Sequence, residues 1–162
     1  MNGLTGSRRS ARPVRVALHT SLGKDIDGAW WPHTGSVAAE LPTLIEALHR
    51  PLGEIVDITI NWSSTECAPD LNSMCYGAMV IPGRTSKPQR LMVVTGSLAH
   101  ATLLVVPHMT AAPLGWMVLR RAAHIPMPLG ERDTQVFRTA DNVVRAAQEE
   151  SAVWTGRLDL NV

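Results

Sequence analysis

The chain of 162 residues is almost without phenylalanine and tyrosine, holding one of each. Apart from five tryptophans it has no rings to spare, which argues against a stacking platform for single-stranded nucleic acid. Charge of one sign is equally scarce. Fifteen Lys and Arg against fourteen Asp and Glu leave +1, so no global field draws in nucleic acid or an anionic membrane. Two cysteines, Cys67 and Cys75, are too few for a disulfide scaffold; reduced thiols account for both, although a bridge across the loop between them stays open. No apolar run nears the roughly 18 residues of a membrane span, the longest being Leu103-Leu104-Val105-Val106. The opening MNGLTGSRRSARP is not followed by the apolar stretch of a signal peptide, which leads us to expect a cytoplasmic protein.

Catalytic spacings are missing too. There is no GxSxG elbow, Walker loop or GxGxxG, so no catalytic residue and no cofactor is expected. The histidines at 19, 33, 49, 100, 108 and 124 never recur at ligand spacing, and no metal site is expected. Arg120, Arg121, Arg132, Arg138 and Arg145 gather late in the chain, but Glu131, Asp133, Asp141, Glu149 and Glu150 offset them.

What remains is patterned. At 45% hydrophobic and 18% charged, the composition is that of one globular domain, assigned to residues 13–162 behind a basic tail over 1–12. Alternation predicts strands at Val14–His19, Ile55–Trp62, Tyr76–Ile81, Arg90–Thr95 and Ala101–Val106. The last two flank Gly96-Ser97-Leu98-Ala99, a connection suited to a hairpin. A seam of Val37, Leu41, Leu44, Ile45 and Leu48 predicts one helix that continues, bent, through Pro42. Further helices are expected over Met109–His124, with Pro113 in its first turn, and from Asp133 or Thr134 to Trp154. This order implies an α+β fold: a mostly antiparallel sheet of about five strands with three helices on one face.

The densest unusual segment is LGKDIDGAWWP, Leu22 to Pro32. Asp27-Gly28-Ala29-Trp30-Trp31-Pro32, the following Ala39-Glu40-Leu41-Pro42 and the later Leu103 to Pro107 resemble an actinobacterial family of uncharacterised single-domain proteins. That resemblance implies a compact α+β fold and no assigned activity. Proline holds the preceding residue extended, and neighbouring side chains of an extended dipeptide point to opposite sides. Trp30 and Trp31 are therefore expected to diverge, one packing against the first helix and the other lying on a rim. Asp27, Trp30, Trp31 and His33 form the candidate ligand-binding set, with packing and turn capping as the plainer reading.

These readings converge on a non-catalytic binding or regulatory module, self-associating through an uncovered sheet face or the last helix. Trp116 and Trp154 are its candidate anchors. The ligand or protein partner is left open, with no membrane and no nucleic acid expected. The competing reading is a small enzyme whose site is the same Asp27, Trp30, Trp31 and His33 loop.

Overall fold

The computed structural model describes residues 12–63, 68–75 and 89–160. The alternating Val14-to-Leu18 segment forms β1 (Val16–Leu18), paired antiparallel with β2 (Gly28–Trp30). β2 corrects the reading of its segment as a loop. Its three residues are all buried, so neither side is polar and no alternation marks it.

β2 runs parallel to β5 (His100–Val105), with Gly28 opposite Leu103 and Trp30 opposite Val105. β5 is joined to β4 (Leu91–Gly96) by the expected hairpin, closed by a 2.8 Å hydrogen bond from the Gly96 N–H to the Ala99 carbonyl. β4 pairs antiparallel with β3 (Ile55–Ile60), with a register irregularity between Ile55 and Asp57. The strand order among the described residues is β1-β2-β5-β4-β3. Five strands match the expected number. The sheet is mixed, however, and not the mostly antiparallel sheet expected, because β2 enters beside β5 in the same direction. The strand expected over Tyr76–Ile81, the Cys67–Cys75 pairing and residues 1–11 of the tail lie outside the described residues.

α1 (Val37–Leu52) turns its apolar seam inward and runs as one helix through Pro42 and Pro51. Gly53 ends it at φ 81°, a left-handed conformation that costs glycine little, while its N–H donates to the His49 carbonyl at 2.8 Å. α2 (Leu71–Cys75), α3 (Ala112–Ala122), a 3-10 turn (Leu129–Asp133) and α4 (Gln135–Leu160) follow. Among the described residues four α-helices thus replace the expected three, the short α2 arising in a stretch read as loop. Thr134 caps α4, its hydroxyl accepting the Phe137 N–H at 3.1 Å.

The helices occupy both faces, not one. Trp30, Met92, Val94, Leu103 and Val105 meet Leu44, Leu48 and Leu52 of α1. On the other face Ala29, Trp31, Leu104 and Val106 meet Leu114 and Val118 of α3 and Val143 and Val144 of α4. The physical reason is that β2 and β5 carry apolar residues at successive positions, and each face needs its own cover. Among the described residues no helix is long and apolar enough to cross a membrane.

Candidate functional site

The sequence pointed first to the loop before β2. There the Asp27 side chain is 1% exposed. Its Oδ1 accepts the N–H groups of Gly23 and Lys24, and its Oδ2 that of Thr102, each at 2.9 Å. The carboxylate therefore stitches its own loop to β5. Trp30 and Trp31 do diverge, Trp30 toward α1 and Trp31 toward α3 and α4. The expectation of one rim indole is corrected, since the two are 1% and 3% exposed. A strand covered on both sides supplies a core for each ring. Trp31 lies against Gly115, where an added Cβ would come within 2.6 Å of the ring. The Arg15 guanidinium covers its face at 3.6 Å, and Trp116 meets it edge-on at 5.6 Å. His33 places Nε2 2.9 Å from the Pro13 carbonyl.

A different place is shaped for recognition. β2 leads through residues 31–36 into α1 on one face, while β5 leads through 106–111 into α3 on the other. Adjacent parallel strands whose following helices depart to opposite faces leave a crevice beyond their carboxyl ends. A cavity of about 700 Å³ opens there. Gly35, Ser36, Val37 and Ala38 supply the α1 side and His108 the β5 side. The far wall is Ile58, Ile60 and Trp62, at the end of β3, with Arg90 and Met92 beside them. None of Asp27, Trp30, Trp31 and His33 lines it.

Local contacts fix the rims. The His108 ring packs over Gly35, so close that a Cβ there would lie 3.2 Å from Cε1. The Arg90 guanidinium sits 5.1 Å from the centre of the Trp62 ring. Asn72 clamps the β5–α3 loop, donating to the Met109 carbonyl at 2.9 Å and accepting the Ala111 N–H at 2.7 Å. A smaller recess of about 200 Å³ shares Ala68 and His108 with the cavity and extends toward Leu71 and Thr110.

The α1 end of the cavity has an unusual cap. Ser36 makes no side-chain capping bond. Glu40, one turn in, reaches back instead: its carboxylate accepts the N–H groups of His33 and Thr34, both at 2.6 Å, and the Thr34 hydroxyl at 2.7 Å. Burial pushes the Glu40 carboxyl upward, but the Thr34 hydroxyl and the two N–H groups outweigh it and hold the group below its ordinary 4.5. Among the described residues no group of three or more potential ligands could hold a metal ion.

Sequence reasoning did not assemble this site. His108 stood out only as a lone histidine, and Trp62 and Arg90 as strand residues. The antiparallel β3–β4 pairing brings Trp62 and Arg90 together, while the parallel β2–β5 pairing, which spans a separation no local pattern reveals, brings His108 beside Gly35. The late arginines serve structure. Arg121 and Arg145 both bind Asp141, at 2.7 and 2.9 Å, and Arg132 and Arg138 donate to the backbone carbonyls of Met127 and Asp133. Trp116 is half-exposed, whereas Trp154 packs partly against the core.

No curated protein and no solved structure matches the chain. A family described as a family of unknown function, DUF5994, matches residues 14–122. That stretch contains the five strands, α1 to α3 and every residue lining the cavity, while α4 lies beyond it. With well over half of its length matched, the chain belongs to the family of unknown function DUF5994.

Proposed function

We propose that this protein is a non-catalytic module that binds a small molecule in the crevice beyond the carboxyl ends of β2 and β5. One observation carries the reading: the cavity of about 700 Å³ stands where the only parallel strand pair among the described residues sends its helices to opposite faces. Its volume lies in the range that encloses drug-sized ligands, of roughly 300–1,000 Å³. Its walls are mainly apolar, through Val37, Leu41, Ile58, Ile60, Trp62 and Met92, with few polar groups at the rim. That is the composition of a binding site. Among the described residues no nucleophile paired with a base lines the cavity.

The test is a titration with N-phenyl-1-naphthylamine, a neutral dye that brightens in apolar surroundings. Saturable one-to-one binding is expected. Ala38→Phe places a ring in the cavity from an exposed position of α1 and should weaken binding at least tenfold without lowering the unfolding midpoint. Dye binding that ignores this substitution contradicts the reading.

A further inference from the structure

We propose that His19 and His124 together bind a zinc ion, through Nε2 of His19 and Nδ1 of His124, at a site apart from the crevice. His19 follows β1 and His124 follows α3, and neither lines the cavity. They stand in opposite halves of the chain, so no short ligand spacing announces them.

The backbone at His124 is the first observation. Its φ of 59° is the only positive value of a non-glycine residue among the described residues. α3 ends there in a Schellman turn: the His124 N–H donates to the Arg121 carbonyl at 3.1 Å, and the Ile125 N–H to the Arg120 carbonyl at 3.0 Å. That turn favours glycine where His124 stands, because a Cβ is crowded in the left-handed region. A side chain kept at such a position against local preference is a mark of functional sites.

The second observation is where the ring goes. It meets the His19 ring edge-on, with centres 5.2 Å apart and planes at 86°. Nε2 of His124 lies 3.2 Å from the Ile26 carbonyl, so the neutral ring carries its proton there and Nδ1 keeps its lone pair. Nδ1 of His19 lies 2.9 Å from both the carbonyl and the N–H of Ser21. In the tautomer that donates to the carbonyl, Nε2 keeps its lone pair. Among the described residues neither of these two remaining nitrogens has a hydrogen-bond partner. One nitrogen tied to a backbone carbonyl and the other unengaged is the arrangement of a metal-ligating histidine.

The loop that presents the Ile26 carbonyl is held on either side of it. The Ser151 hydroxyl of α4 donates to the Asp25 carbonyl at 2.6 Å, and the His19 N–H to the Asp27 carbonyl at 2.7 Å. Both rings are thus oriented by one fixed segment.

The ring separation selects the metal. Zinc bonds imidazole nitrogen at about 2.0–2.1 Å, which sets each ring centre about 3.2 Å from the ion. Two rings at the tetrahedral angle then lie about 5.2 Å apart, matching the observed 5.2 Å. The right angle of square-planar copper or nickel would need about 4.5 Å. Among the described residues no third ligand joins the pair, and water completes the coordination.

The experiment titrates zinc chloride into the full chain and follows the histidine ring nitrogens by nitrogen–proton correlation spectra. Nε2 of His19 and Nδ1 of His124 should shift together, on one saturable curve. His124→Gly, which suits the turn, should keep the metal-free unfolding midpoint, as should His19→Gln. Each should weaken zinc binding at the remaining histidine at least tenfold. Should His124→Gly fail to fold, the response of His124 in His19→Gln decides alone. A remaining histidine that binds zinc as tightly as in the wild type overturns the shared site. Shifts confined to the opposite ring nitrogens, or no shift of either ring below millimolar zinc, also overturn it.

Discussion

Asp27 shows how much a single carboxylate can hold. It accepts three backbone N–H groups, two within its own loop and one from Thr102 on β5. Hydrogen bonds to a charged acceptor are worth more than neutral ones, and a buried donor left without a partner is costly. Asp27→Ala should therefore lower stability by about 3 kcal/mol, read as a shifted urea midpoint, since the buried Thr102 N–H loses its acceptor. A midpoint equal to the wild type would mean that the loop holds itself by other contacts. The neighbouring residues show what was legible at this scale. Pro32 announced that Trp30 and Trp31 would part, because local sterics decide it. That both rings end in cores depended on covers from distant helices, and nothing near residue 30 encodes those.

Among elements, α1 was the most readable, since its seam of Val37, Leu41, Leu44 and Leu48 continues in phase across Pro42. β2 was the least: three buried residues have no periodicity to detect. The start of α1 makes a pH prediction. Glu40 sits below its ordinary 4.5, because the Thr34 hydroxyl and the His33 and Thr34 N–H groups favour its charged form over the opposing effect of burial. A carboxylate with a lowered folded pKa stabilises the protein fully above its unfolded pKa. That contribution fades as pH falls through the folded value. Glu40→Gln should thus be less stable than the wild type at neutral pH, and the two unfolding midpoints should converge as pH drops below 4.5. A gap that stays constant through the acid range would show that the carboxylate charge is irrelevant to this turn.

At the level of the whole molecule, the family match stops at residue 122, yet the core does not. Ala140, Val143, Val144 and Ala147 of α4 are buried against Val118, Leu119 and Ala122 of α3. Asp141 locks the two helices together through Arg121. A chain ending at His124 should lose cooperative thermal unfolding and its sharp near-ultraviolet dichroism, because one face of the sheet would keep only half its cover. Retention of both signals would show that residues 14–122 stand alone. The α+β class and the positions of β1, β3, β4 and β5 were open to sequence reasoning, because patterning and turn chemistry are local. Strand direction, the division of helices between two faces and the resulting crevice were not, because each depends on which distant segments meet. The β2–β5 pairing also imposes an order of events in time. Gly28 to Trp30 can find their places only once residues 103 to 105 exist beside them. On the ribosome, residues 28 to 30 must therefore wait, unsettled, until the second half of the chain has emerged.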